Sequence, residues 1–85
     1  MAELIHQSST CVISHGDAYR ARVMGEQRPD GSWQGWLEYH PVARGPVLTT
    51  GRETTQVSRD ALEYWAGGLE ATYVEGAFER ASIER

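Results

Sequence analysis

The chain has 85 residues, one cysteine and a formal net charge of −4. That length fits one domain with a small core, and a single cysteine rules out an intrachain disulfide. The acidic balance argues against non-specific nucleic-acid binding, whose main energy source is neutralised phosphate.

Every basic residue is arginine, and with abundant Ala, Gly and Glu this composition reads as a GC-rich bacterial genome. The start, Met1-Ala2-Glu3-Leu4-Ile5-His6, has neither the basic stretch nor the apolar run of a leader. No apolar segment approaches the ~20 residues of a membrane helix. The expectation is a cytoplasmic protein with no membrane partner.

Residues 1–18 read either as a tail or as a short strand at Ser8–Ser14, closed by a turn at His15-Gly16-Asp17. Residues 19–85 read as a single α+β domain. From Tyr19 to Met24 apolar and charged residues alternate, as in a half-buried strand. Arg28-Pro29-Asp30-Gly31 is a hairpin turn signal: proline presets φ, aspartate favours the turn and glycine accepts positive φ. The returning strand runs from Ser32 to Tyr39. The pattern assigns Tyr19, Ala21, Val23, Trp33, Leu37 and Tyr39 to the core face. Arg20, Arg22, Gln34, Glu38 and, against expectation for an outer face, Trp36 point to solvent. A loop with two prolines follows, then a third strand at Pro46–Thr50. Gly51 marks a bend, and Arg52–Val57 is a connector or a continuation of that strand.

A helix is expected from Arg59 to about Ser82, with Ser58 as N-cap and Asp60 in its first turn. Leu62, Trp65, Ala66, Leu69, Tyr73 and Ala77 recur at helical spacing, widened by Val74, Phe78 and Ala81. Gly67-Gly68 either lets the helix pack closely or kinks or splits it; the stripe continues in phase across the pair, so the favoured reading is one long helix, bent or straight. The expected architecture is β-β-β-α: a three-stranded antiparallel sheet, four-stranded if the N-terminal segment joins, packed by one long C-terminal helix.

A helix of that length would be ~36 Å long, against roughly 20–26 Å for the strands. Its C-terminal third would then overhang, exposing Tyr73, Val74, Ala77 and Phe78. This predicts a homo-oligomer, unless the N-terminal segment folds back over the patch. Trp36 is a second contact candidate, since Trp is enriched at binding hot spots; a lid over Arg20 or Arg22 is the alternative.

No chemistry-bearing constellation stands out. His6, Cys11 and His15 lack the spacing of a metal set. The hydroxyls of Thr49, Thr50, Thr54, Thr55 and Ser58 have no adjacent His and acid. No glycine pattern makes a phosphate loop. No catalytic, cofactor-binding or metal-binding residue is therefore expected.

The order of elements resembles HicB-like domains, antitoxins of small RNA-cleaving toxins. The resemblance lies in Tyr19-Arg20-Ala21-Arg22-Val23, Asp30-Gly31-Ser32-Trp33, Thr49-Thr50-Gly51-Arg52-Glu53-Thr54 and Asp60-Ala61-Leu62. It implies a non-enzymatic, self-associating interaction module that binds a small basic protein through its acidic helix or its sheet edge. Two other readings stay open. One is a small-molecule or enzymatic pocket between subunits around Trp33, Tyr39, Tyr64 and Trp65. The other is weak RNA binding by Arg20 and Arg22.

Overall fold

The alternation around Tyr19 and its mirror around Leu37 form the centre of an antiparallel sheet. The computed structural model describes residues 1–83. Strand β1 spans Glu3–Ser14, β2 Asp17–Gln27 and β3 Trp33–Pro41. The β1–β2 turn places His15 and Gly16 at φ 51° and 84°, a two-residue turn whose twist suits the strands it joins. The β2–β3 turn closes with Gly31 N–H on the Arg28 carbonyl at 2.9 Å and Arg28 N–H on Ser32 O at 2.7 Å. Asp30 accepts from Ser32 N–H and Oγ at 2.9 and 2.6 Å.

Two short strands, β4 (Leu48–Thr49) and β5 (Thr54–Gln56), share the free edge of β3. β4 pairs with Glu38 and Tyr39, and β5 with Trp33 to Gly35. Between them the chain bulges outward but stays tied. Thr50 N–H reaches Leu37 O at 2.9 Å, Leu37 N–H donates to Thr50 Oγ1 at 3.0 Å, and Glu53 N–H reaches Gly35 O at 2.8 Å. The third strand is thus one interrupted strand. A last strand, β6 (Ser82–Ile83), pairs with β4, giving a six-stranded sheet. The sheet is therefore wider than the three or four strands the sequence pattern suggests.

The single long helix is also corrected. Helix α1 spans Arg59–Gly67, α2 spans Ala71–Ala77, and one 3₁₀ turn covers Phe78–Arg80. Ser58 caps α1 by accepting from Ala61 N–H at 3.1 Å. Gly68 ends it, its N–H shared between the carbonyls of Tyr64 and Trp65, both at 3.2 Å. Glu70 is extended and α2 restarts behind it. Two glycines, each about 1 kcal/mol worse than alanine in a helix, make the break inexpensive at this point.

Both helices lie on the same face of the sheet. Ala21, Val23, Leu37 and Tyr39 meet Leu62, Ala66, Val74 and Ala77 in one buried core, joined by Ile5 and Val12 from β1. Tyr19 and Trp33, also expected on the core face, are half-buried against it. Leu62 sits where Gly25 and Gly35 pair across β2 and β3. A Cβ on either glycine would lie 2.6–2.7 Å from a Leu62 methyl. The missing side chains let α1 approach the sheet.

Candidate functional site

Because β1–β3 alternate and both helices cover one face, the opposite face has no helical layer. Along it run four cross-strand rows. Leu4, Met24 and Trp36 form an apolar row. Gln7, Arg22 and Glu38 flank it on one side, with Cys11, Arg20 and His40 beyond them. Glu26 and Gln34 flank it on the other side. Trp36 is half-buried, and Leu4 is 47% exposed.

Among the described residues the arginines on this face lack acid partners. Glu38, opposite Arg22 in register, instead meets His40 Nε2 at 3.0 Å. Arg22 Nε is buried with no hydrogen-bond partner, an arrangement that costs about 1–3 kcal/mol. Arg20 is exposed, and neither arginine enters an ion pair among the described residues.

The other candidates from the sequence lie elsewhere. The helix break turns α2 back over its own sheet, so the predicted overhang does not arise. Val74 and Ala77 are core residues. Phe78 packs its ring 5.0 Å from both Tyr19 and Tyr39. Tyr73 donates to Glu53 Oε1 at 2.6 Å and meets Trp65 edge-to-face at 6.0 Å. Arg80 completes this cluster with Nη2 and Nε on the two Glu53 oxygens at 2.6 and 3.1 Å. Its guanidinium holds the Glu53 carboxyl below the usual carboxylate range, with the Tyr73 hydroxyl acting in the same direction. Burial pushes the Tyr39 phenol up; its hydroxyl donates to Val74 O at 2.6 Å. These contacts tie all four side chains to the chain's own fold: Val74 and Ala77 are buried, and Tyr73 and Phe78 are half-buried.

A second surface opens beside α1. A groove of about 940 Å³ is lined by Gln56, Ala61, Glu63, Tyr64, Trp65, Gly67, Gly68 and Leu69. Tyr64 is 88% exposed on its wall, and exposed Val57 adjoins Gln56. Two of the four aromatics suggested for a pocket, Tyr64 and Trp65, meet here. Tyr39 is sealed in the core, and Trp33 lies under the Arg59 guanidinium at 6.0 Å. The sequence signal was an aromatic at position 64, off the apolar stripe of its helix.

The groove lies at the carbonyl end of α1, whose last turn has no basic residue. Glu63 is on its wall, and Asp60 and Glu70 belong to the same helical layer. A smaller groove of about 670 Å³ lies between the β1–β2 turn and α2, with His15, Glu75, Phe78 and Glu79 among its walls. Among the described residues no three His, Cys, Asp or Glu side chains gather as a metal-ligand set, and no helix is long and apolar enough to cross a membrane. No family model matches the chain, and no curated protein or solved structure matches it either.

Proposed function

We propose that this chain is a non-enzymatic protein-interaction module that seats a basic segment of its partner in the groove beside α1. The observation that carries this reading is Tyr64, a large aromatic left 88% exposed on an apolar wall. Tyrosine and tryptophan supply rigid contact area at interfaces. Their ring faces also attract guanidinium and ammonium groups. The helix C-terminus carries partial negative charge, and Glu63 adds a carboxylate that it shares with Arg59, Nη1 to Oε2 at 2.9 Å.

A lysine or arginine flanked by apolar residues is therefore the complement of this groove. A small basic protein, the partner class that the HicB-like resemblance implies, has that chemistry.

Heteronuclear NMR of the full chain tests the reading, with a peptide of alternating arginine and leucine as probe and its glutamate–leucine counterpart as control. Shifts confined to residues 56–69 with the basic peptide, lost in Tyr64→Ala, support it. No shift there, or equal response to the acidic peptide, ends it.

A further inference from the structure

We infer that the helix-free face of the sheet is an interface between two copies of this chain, related by a two-fold axis along the Leu4–Met24–Trp36 row. The observation is independent of the groove beside α1. Register sets Leu4 beside Met24 and Met24 beside Trp36. One step along β2 on one side of that row stands Arg22, and one step on the other side stands Glu26.

A rotation about the row reverses strand direction and keeps strand order. It lays the apolar row on its own copy and places Arg22 over Glu26 of the second copy, twice by symmetry. Arg20 falls at the rim, opposite a turn that carries Arg28 and Asp30 together. The alternative axis, along the strands, would set Arg22 against itself, and like charges facing each other disfavour it.

Groups within the chain are poised for this exchange. Among the described residues Arg22 is in no ion pair, and its cross-strand neighbour Glu38 meets His40 through Oε1. Glu26 is 36% exposed, with the Met1 ammonium at 3.1 Å and the Gln34 amide at 3.4 Å. The sheet edge is a poorer route to association. β1 is 12 residues long, but its pairing shifts register between Leu4 and His6 and again between Gln7 and Cys11. Such bulges blunt an edge against strand addition. Four strand positions at ~4.8 Å and about nine residues at ~3.3 Å give a face of roughly 570 Å² per copy. That is below the ~800 Å² per partner of a standard interface, so the dimer is weak and concentration-dependent.

Sedimentation equilibrium of the full chain over the micromolar range tests this. A monomer–dimer equilibrium is expected. Arg22→Glu and Glu26→Arg should each weaken it by about tenfold or more, as for loss of a close charge pair. The combined R22E/E26R chain should recover most of the loss, and Tyr64→Ala should leave the dimer unchanged. If a charge-reversed chain fails to fold by circular dichroism, Arg22→Gln and Glu26→Gln take its place, each weakening the dimer. A wild type that stays monomeric overturns the inference, including one that binds single-stranded RNA on this face instead. So does a dimer indifferent to both charge changes, or a swap without recovery. A dimer lost in Tyr64→Ala but not in the Arg22 variants would assign association to the groove and overturn it as well.

Discussion

Glu53, in the bulge between β4 and β5, accepts the hydroxyl proton of Tyr73 at 2.6 Å and so ties that bulge to α2. Arg80 closes the same carboxylate from the next turn. The Glu53 side chain is only 7% exposed, whereas that of Arg80 is 54% exposed. The contact therefore acts as a partly screened, charge-assisted hydrogen-bond cluster. Replacing Glu53 by Gln should lower unfolding free energy by about 1–3 kcal/mol, measured by urea denaturation at neutral pH.

The same carboxylate predicts a pH dependence. Its pKa is lowered in the folded chain, chiefly by Arg80, whereas an unfolded glutamate titrates near ~4.3. The unfolded state thus takes up its proton first as pH falls. The stability Glu53 contributes is complete above that value and is lost as pH falls through the folded-state pKa. Between about pH 5 and 3 wild type should lose stability more steeply than Glu53→Gln. Parallel curves for the two proteins would show that Glu53 does not carry this dependence.

Leu62 and the Gly25–Gly35 pair give a packing prediction. A Cβ at Gly35 would meet a Leu62 methyl at 2.7 Å and Thr54 Cγ2 at 3.3 Å. Gly35→Ala should destabilise by about 1–3 kcal/mol through overpacking. Leu62→Ala alone should cost about 2–5 kcal/mol through its cavity. The double variant should be less destabilised than the sum, because the new methyl occupies part of the space Leu62 leaves. Thermal denaturation of the four proteins measures the coupling, and simple additivity would contradict the contact.

Much of this architecture was legible because it is written in side-chain period and turn chemistry. The alternation through Ala21 and Val23 and through Leu37 and Tyr39, with the Arg28–Gly31 turn between, fixes the central hairpin and its faces. The length of β1 was hidden, since its register shifts break the alternation that marks a strand. The β4–β5 strand was open in the sequence as a connector or a continuation of the third strand, and its interruption was unmarked for a related reason. There a side chain, Thr50 Oγ1, takes the Leu37 N–H that a regular ladder would give to a carbonyl. The helix stripe stayed in phase across Gly67-Gly68, so periodicity could not reveal the break. That break decides the outcome for Tyr73, Val74, Ala77 and Phe78, which face their own sheet. Of the residues proposed for contact, Trp36, Arg20 and Arg22 remain at a surface, because alternation alone determines which face they take.

Tyr39 offers a test of how firmly α2 is held. Its hydroxyl donates to Val74 O at 2.6 Å inside the core, a position that keeps the phenol fully buried. Tyr39→Phe keeps the ring contact with Phe78 and removes only this bond. A loss of about 1–2 kcal/mol is expected, and amide exchange should quicken in α2 more than in β2. Uniform quickening would mean that the bond supports the whole domain and not the second helix in particular.

Gly67 separates propensity from packing as the cause of the helix break. A Cβ there meets nothing within 4 Å, and the residue lies in the last turn of α1. Gly67→Ala should therefore raise stability by about 0.5–1 kcal/mol, mainly by restricting the unfolded chain. The break should persist, because Gly68 and the extended Glu70 set the direction of α2 and the core contacts of Val74 and Ala77 hold it there. Gly67→Ala with Gly68→Ala puts propensity against those contacts directly. If tertiary packing sets the break, the double variant keeps the wild-type chemical-shift pattern at Leu69 and Glu70. If the glycines set it, those residues become helical, Val74 leaves the sheet, and the gain from the first substitution turns into a net loss in thermal stability.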